Sequence, residues 1–186
     1  MNIRHHKIIF TGPVGAGKST AISAISDVPV ISTEAMATDE IKQLKLTTTV
    51  AMDYGVLRLG HGEQVHLYGT PGQERFDFMW DILTKGGIGL VLLINNSTPD
   101  PIGDVRQFIR HFAAFINETG VVIGITQTDI SPSPGIDEYH ASLFGPQAEI
   151  SLHIPPPIFA VDARNRDDVR MLVEALLYAL DPDLAR

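Results

Sequence analysis

The sequence predicts an α/β fold, a three-layer arrangement in which a mostly parallel sheet of six strands, one of them antiparallel, lies between about five helices. Three observations carry the prediction. Apolar runs suited to buried strands alternate with one-sided helical stripes along the chain. A glycine-rich loop follows the first apolar run and opens a helix, and a short glycine-containing turn joins the next two strands as an antiparallel hairpin. At 186 residues, with 44% hydrophobic and 19% charged residues, the chain is sized for a single domain over 1–186.

Lys7 to Thr11 is the first buried strand, and Lys18 to about Ser26 reads as the helix after it. Asp27 to Lys45 is mixed, and Val28-Pro29-Val30-Ile31 leaves room for an extra short strand. Ala51 to Leu59 and Glu63 to Tyr68 form the hairpin around Gly60-His61-Gly62. Beyond Gly69 to Gly72, Glu74 to Thr84 is helical in character, and Gly89 to Ile94 is the continuous apolar run of a central parallel strand. Asp100-Pro101 supplies a cap and a first-turn proline for one helix striped by Val105, Phe108, Ile109, Phe112 and Ile116. Val121 to Thr126 and Pro156 to Val161 are the last strands; Val169, Leu172, Val173, Leu176 and Leu180 stripe the terminal helix. Ligands of such sheets sit at the carboxyl ends of the strands.

Gly12-Pro13-Val14-Gly15-Ala16-Gly17-Lys18-Ser19 spells G-x-x-x-x-G-K-S and is followed by Thr20. Glycines let the backbone curl until successive N–H groups face phosphate oxygens, and the helix N-terminus adds positive partial charge. Lys18 is placed to reach the β and γ phosphates of a nucleotide, and the Ser19 hydroxyl to ligate Mg²⁺.

Composition excludes several alternatives. A net charge of −8 without a long Lys/Arg run argues against nucleic acid as the partner. With no cysteine, thiol catalysis, thiolate metal sites and disulfides are ruled out. The longest apolar stretch, Ile88 to Ile94, is too short to cross a bilayer, so no integral membrane segment and a cytoplasmic location are expected. The seven histidines lack ligand spacing and read as satisfied or solvated.

Tyr68-Gly69-Thr70-Pro71-Gly72-Gln73-Glu74-Arg75-Phe76 resembles the D-x-x-G-Q-E-R-F switch II signature of Ras-like small GTPases, and Thr49-Val50-Ala51-Met52-Asp53-Tyr54 resembles that family's switch I run. Together with the phosphate loop they occur in the family's order. The resemblance implies a P-loop NTPase of the Ras-like type that binds GTP or GDP with Mg²⁺. Thr49 would join Ser19 on the metal, Gly72 would offer its N–H to the γ phosphate, and Gln73 would orient the attacking water while Lys18 neutralises charge. Taken alone, Gln73 also reads as a solvated residue at a helix start.

Three features depart from the family. Gly69 stands where the family has the aspartate that orients Mg²⁺ through water, so another group must supply that role; Asp53 is a candidate, its alternative being an exposed strand residue. Val14 replaces a glycine and would crowd an arginine supplied by a partner. Thr126-Gln127-Thr128-Asp129 stands for N-K-x-D: Asp129 still accepts from guanine N1 and N2, while Gln127 replaces a lysine that packs on the base, predicting guanine preference at reduced affinity. Val161-Asp162-Ala163-Arg164 matches the position of the S-A-K loop, which implies an Ala163 N–H toward guanine O6.

The long interval from Lys18 to Thr49, with T-x-A-x-D-Y-G and G-T-P-G-Q-E-R-F, is similar to bacterial MglA-type GTPases, whose partners are Roadblock/LC7-domain proteins. Trp80, Phe76 and Phe78 either form an exposed partner surface beside switch II or pack on the adjacent helix. The expected function is a slowly hydrolysing GTP switch acting through protein contacts. The alternative is a nucleotide-stabilised scaffold without turnover; an ATP-using kinase is disfavoured because no arginine-rich lid segment appears.

Overall fold

A computed structural model describes residues 5–32, 52–59, 62–72, 77–146, 148, 150 and 152–180. The side chains of 77–79 and 81 are outside that description. The elements in chain order are β1 (His5–Thr11), α1 (Lys18–Ile25), β2 (Ile31–Ser32), β3 (Asp53–Arg58), β4 (Gln64–Gly69), α2 (Asp77–Thr84), β5 (Gly89–Asn95), α3 (Pro101–His111), α4 (Ala113–Glu118), β6 (Val121–Thr126), α5 (Ile136–Phe144), β7 (Ile158–Ala160) and α6 (Arg166–Leu180). The sheet runs β2-β3-β4-β1-β5-β6-β7. Among the described residues, only β3 runs against the rest, antiparallel to both β2 and β4.

The predicted α/β class and single antiparallel strand are therefore present. The seventh strand is the two-residue β2, at the place where the sequence left room for one. Among the described residues there are six helices. The stripe expected as one helix is divided at Phe112 (φ −92, ψ 10), although its N–H still reaches Phe108 O at 3.0 Å and Ile116 N still reaches Phe112 O at 2.8 Å. The apolar periodicity runs through the break because the hydrogen bonds do. Asp100 caps α3 as predicted, its Oδ1 accepting from Gly103 N at 2.9 Å. Helix α5 was not foreseen; Glu138 fixes its start by accepting from Gly135 N at 2.8 Å.

Strand alternation sends side chains to two cores. On one face Ile8, Phe10, Val91 and Leu93 pack against Ile22 and Ile25 of α1 and Leu172, Val173 and Leu176 of α6. On the other, Ile9, Leu90, Leu92, Ile123 and Ile125 pack against Trp80, Val105, Phe108 and Tyr139 of the remaining helices. Each large apolar side chain removed from water contributes about 1.5–3 kcal/mol. The two layers hold the sheet rigid and bring the carboxyl ends of β1, β4, β6 and β7 to one rim. Because β3 is reversed, its first residue, Asp53, arrives at that same rim.

Candidate functional site

That rim encloses a cavity of about 720 Å³. Its walls come from the loop after β1 (Val14, Gly15, Gly17, Lys18, Ser19 and Thr20), from Thr70–Gly72 after β4, from Thr126–Ile130 after β6 and from Ala160–Arg164 after β7, with Asp53 at one side. The three motifs that lie far apart in sequence thus share one chamber.

The loop after β1 is shaped by backbone geometry. Gly12 has φ +139, and a Cβ on it would collide with the carbonyl oxygen of Leu93. Only glycine fits this combination. Gly17 caps α1 in the left-handed region (φ 91), turning the helix N-terminus toward the cavity. Lys18 is buried, and its Nζ donates to Gly12 O at 2.7 Å and Pro13 O at 2.8 Å. Those carbonyls position the ammonium beneath the loop. Ala16 is buried behind the cavity wall, while Val14 is 63% exposed at its mouth.

Asp53 faces Gly69, the position that lacks a carboxylate. The two are direct cross-strand partners in the β3–β4 ladder, and a Cβ on Gly69 would stand 3.2 Å from Asp53 Cβ. The bare glycine leaves space for the neighbouring strand's side chain. Asp53 Oδ2 accepts from Ser19 Oγ at 2.5 Å, so a carboxylate does reach the hydroxyl of the phosphate loop. Hard oxygen donors of this kind suit Mg²⁺. Among the described residues no group of three or more His, Asp or Glu converges as a metal site, so a cation here would need oxygens from a ligand or water as well.

The opposite end of the cavity is built from polar groups, of which Asp129 and Arg164 are exposed. Thr126, buried, shares its hydroxyl proton between the carbonyls of Ala16 and Ile94, both at 3.1 Å. Gln127 takes a left-handed backbone (φ 58), and its Nε2 donates to Gly15 O at 3.1 Å while its Oε1 accepts from Ser97 Oγ at 3.1 Å. A neutral amide thus ties this loop to the loop after β1. Asp129 is 70% exposed, with Arg164 Nη2 at 3.9 Å from its Oδ2. Arg164 also grips Asp162, Nη2 to Oδ2 at 2.8 Å and Nε to Oδ1 at 2.8 Å. Those side-chain bonds hold the Asp162 carboxyl down at about 2, so the pair is ionised throughout the neutral range. Ala163 lies between them on the cavity wall.

The structure therefore brings together Val14, Gly15, Gly17, Lys18, Ser19, Thr20, Gly72, Thr126, Gln127, Asp129 and Ala163. Gly12, Pro13 and Ala16 form the turn behind them. Thr49 and Gln73 lie outside the described residues. Of the aromatic residues expected near a partner surface, Trp80 is only 2% exposed and packs on α3; the packed reading holds for it because its ring fills the core beneath the sheet. Phe76 and the Phe78 side chain lie outside the description. Sequence reasoning missed Ser97 and the Trp80 Nε1 bond to Pro71 O at 3.0 Å, since neither contact leaves a trace in motif spacing. Among the described residues, no helix is long and apolar enough to cross a membrane.

Several known proteins are similar to this chain. A family model described as "Conserved hypothetical ATP binding protein" matches residues 28–181. An uncharacterized protein of Methanocaldococcus jannaschii is 33% identical over 62% of this chain and 71% of that protein. The Ras-related protein Rab-27A of Rattus norvegicus is 23% identical over 92% of this chain and 76% of its own length. The Ras-related protein RAB1BV of Beta vulgaris is 21% identical over 83% and 73%. With a family model covering most of its length, this chain belongs to the family of conserved hypothetical ATP binding proteins, and its sheet and phosphate loop are those of a P-loop NTPase with distant homology to Ras-related proteins.

Proposed function

We propose that the protein is a single-domain GTP-binding switch that hydrolyses GTP slowly to GDP and phosphate and signals through nucleotide-dependent protein contacts. The observation that carries this reading is the placement of Asp129 and Ala163 in the same cavity as the Lys18 loop. Guanine presents two donors, N1–H and N2–H, to a carboxylate and one acceptor, O6, to a backbone N–H; adenine reverses that pattern. The Ras-related relatives favour guanine, while the description of the family favours adenine. Competition decides between them. GTP and GDP should displace labelled GDP and ATP should not; equal displacement would remove Asp129 as the base reader.

In the proposed reaction, water attacks the γ phosphorus in line with the bond to the β–γ bridging oxygen, and that bond breaks to release GDP. Lys18 balances the charge on the β and γ oxygens, the Gly72 N–H binds the γ phosphate, and Gln73 orients the water. Ser19 and Thr49 would hold Mg²⁺, which supplies charge neutralisation when bound, and Asp53 would orient its water shell through the position facing Gly69. Single-turnover hydrolysis by wild type and Gln73→Ala tests the chemistry, with slower turnover expected in the variant. No difference between the two would sink the role of Gln73. Failure of wild type to hydrolyse at all would favour the nucleotide-stabilised scaffold, a reading suited to the carboxylate-free position at Gly69. A Roadblock/LC7-type partner fits the MglA-like motifs, and its binding should depend on which nucleotide is present.

A further inference from the structure

We infer that Asn96 is a positioning residue for base selection: from beneath the cavity it clamps both ends of the loop that carries Asp129, and Tyr139 holds its amide in the clamping orientation. The inference rests on the base-reading role proposed above for Asp129. Residues 126–131 run from the end of β6 along the cavity wall, and Asn96, just after β5, reaches both ends of that run. Asn96 N donates to Thr126 O at 3.0 Å, while Asn96 Nδ2 donates to Ser131 O at 2.7 Å and to Pro134 O at 3.1 Å.

Asp129 lies between these anchors. Its carboxylate is exposed, and Arg164 Nη2 at 3.9 Å is too distant to fix it by a hydrogen bond. The direction in which Asp129 meets a base is therefore set by the backbone beneath it. That backbone is tightly turned, with Ile130 N and Ser131 N donating to Gln127 O at 3.1 and 3.0 Å. A displacement of Ser131 is accordingly carried to Asp129, and the Nδ2 bonds of Asn96 are what oppose it.

Asn96 and Tyr139 are both buried. The Tyr139 ring belongs to the apolar core beneath the sheet, yet its hydroxyl donates to Asn96 Oδ1 at 2.6 Å. Burial, and then the carboxylates of Asp104 and Asp100, push that hydroxyl up, so it stays a donor throughout the neutral range. A reversed amide would turn its oxygen toward the carbonyls of Ser131 and Pro134, where it has no donor to accept from. The Tyr139 bond and the two carbonyls thus select one orientation. Gln127 is tied separately to Gly15 O and Ser97 Oγ, so loss of the clamp leaves the contact with the phosphate loop in place.

Asn96→Ala removes both Nδ2 bonds and leaves Asp129 to be ordered only when the base binds. With Mg²⁺ present, the ratio of GDP to ADP affinity should fall about tenfold, through weaker GDP binding with ADP binding little changed. A folded variant with the wild-type ratio overturns the inference, and so does an equal loss of both nucleotides, which marks a structural residue. Tyr139→Phe keeps the ring and deletes the orienting bond; it should lower the ratio about threefold, and it decides the matter where Asn96→Ala does not fold. An unmoved ratio in Tyr139→Phe overturns the inference as well. In an Asp129→Ala background neither substitution should move the ratio further, because both act through Asp129; a further fall there overturns the inference. A ratio that Asp129→Ala itself leaves unchanged would remove the base-reading role and this inference together, whereas a ratio moved by Asp129→Ala and not by Asn96→Ala removes this inference alone.

Discussion

The two ends of the cavity are specified by different physics. At the phosphate end, the decisive features are backbone conformations: Gly12 at φ +139 against Leu93, Gly17 at φ 91 capping α1, and Lys18 buried beneath two carbonyls. At the other end, the groups are exposed side chains joined by an ion pair, with Arg164 at 73% and Asp129 at 70% exposure. A backbone turn tolerates almost no substitution, while an exposed side-chain network can exchange one polar group for another. That difference explains why the phosphate loop matches its motif at every defining position while Gln127 stands in for a lysine by making a neutral bond to Gly15 O.

The sharpest way to break this comparison is Gly12→Ala. The new methyl meets the Leu93 carbonyl in a conformation that L-residues avoid, so stability should fall by about 3 kcal/mol or more in urea denaturation. A loss below about 1 kcal/mol would mean that the turn relaxes, and the phosphate end would be no more rigid than the other. Next in size is Asp129→Ala. It should weaken GDP binding about a hundredfold and leave ADP binding and folding unchanged, because it deletes a hydrogen-bond acceptor without disturbing the backbone. Smaller again is Asp53→Asn, which keeps the shape but removes the charge beside Ser19. The Mg²⁺ concentration needed to slow GDP release should rise about tenfold; an unaltered requirement would return Asp53 to the standing of an ordinary strand residue.

How far each region was legible in the sequence follows from the same contrast. The Gly12–Ser19 loop announced itself because unusual φ angles demand glycine at fixed spacing. Asp53 was legible only as a candidate, since strand pairing opposite Gly69 depends on a register that the hairpin sets in three dimensions. Helix α5 escaped notice because Ile136–Phe144 follows a proline-rich stretch and carries a short apolar face, with Tyr139 and Leu143 as its buried residues. Trp80 was legible as an aromatic residue near the switch II-like run, but its burial comes from Phe108 on α3 and Phe112 at the α3–α4 junction, both beyond an intervening strand.

A mutation behind the cavity tests whether its two ends are mechanically joined. Helix α1 leaves the phosphate loop and α6 follows the Ala163 loop, and Asp27 links them. Its Oδ1 accepts from Arg166 Nη2 at 2.6 Å and its Oδ2 from Arg58 N at 2.7 Å, while Arg166 Nη1 reaches Ala24 O at 3.3 Å. Burial pushes the Asp27 carboxyl up, but the Arg58 amide and the Arg166 guanidinium outweigh it and hold the group below its ordinary value. A carboxyl lowered in the folded state contributes stability above its unfolded value, about pH 3.9, and loses it as pH falls through the folded value. Asp27→Asn should therefore cost about 1 kcal/mol at pH 7, a modest figure because the pair is partly solvated, and the difference from wild type should shrink below about pH 4. If the ends are independent, this variant unfolds at lower denaturant yet keeps the wild-type ratio of GDP to ADP affinity. A change in that ratio would mean that the α1–α6 joint transmits strain from the phosphate loop to the loops after β6 and β7.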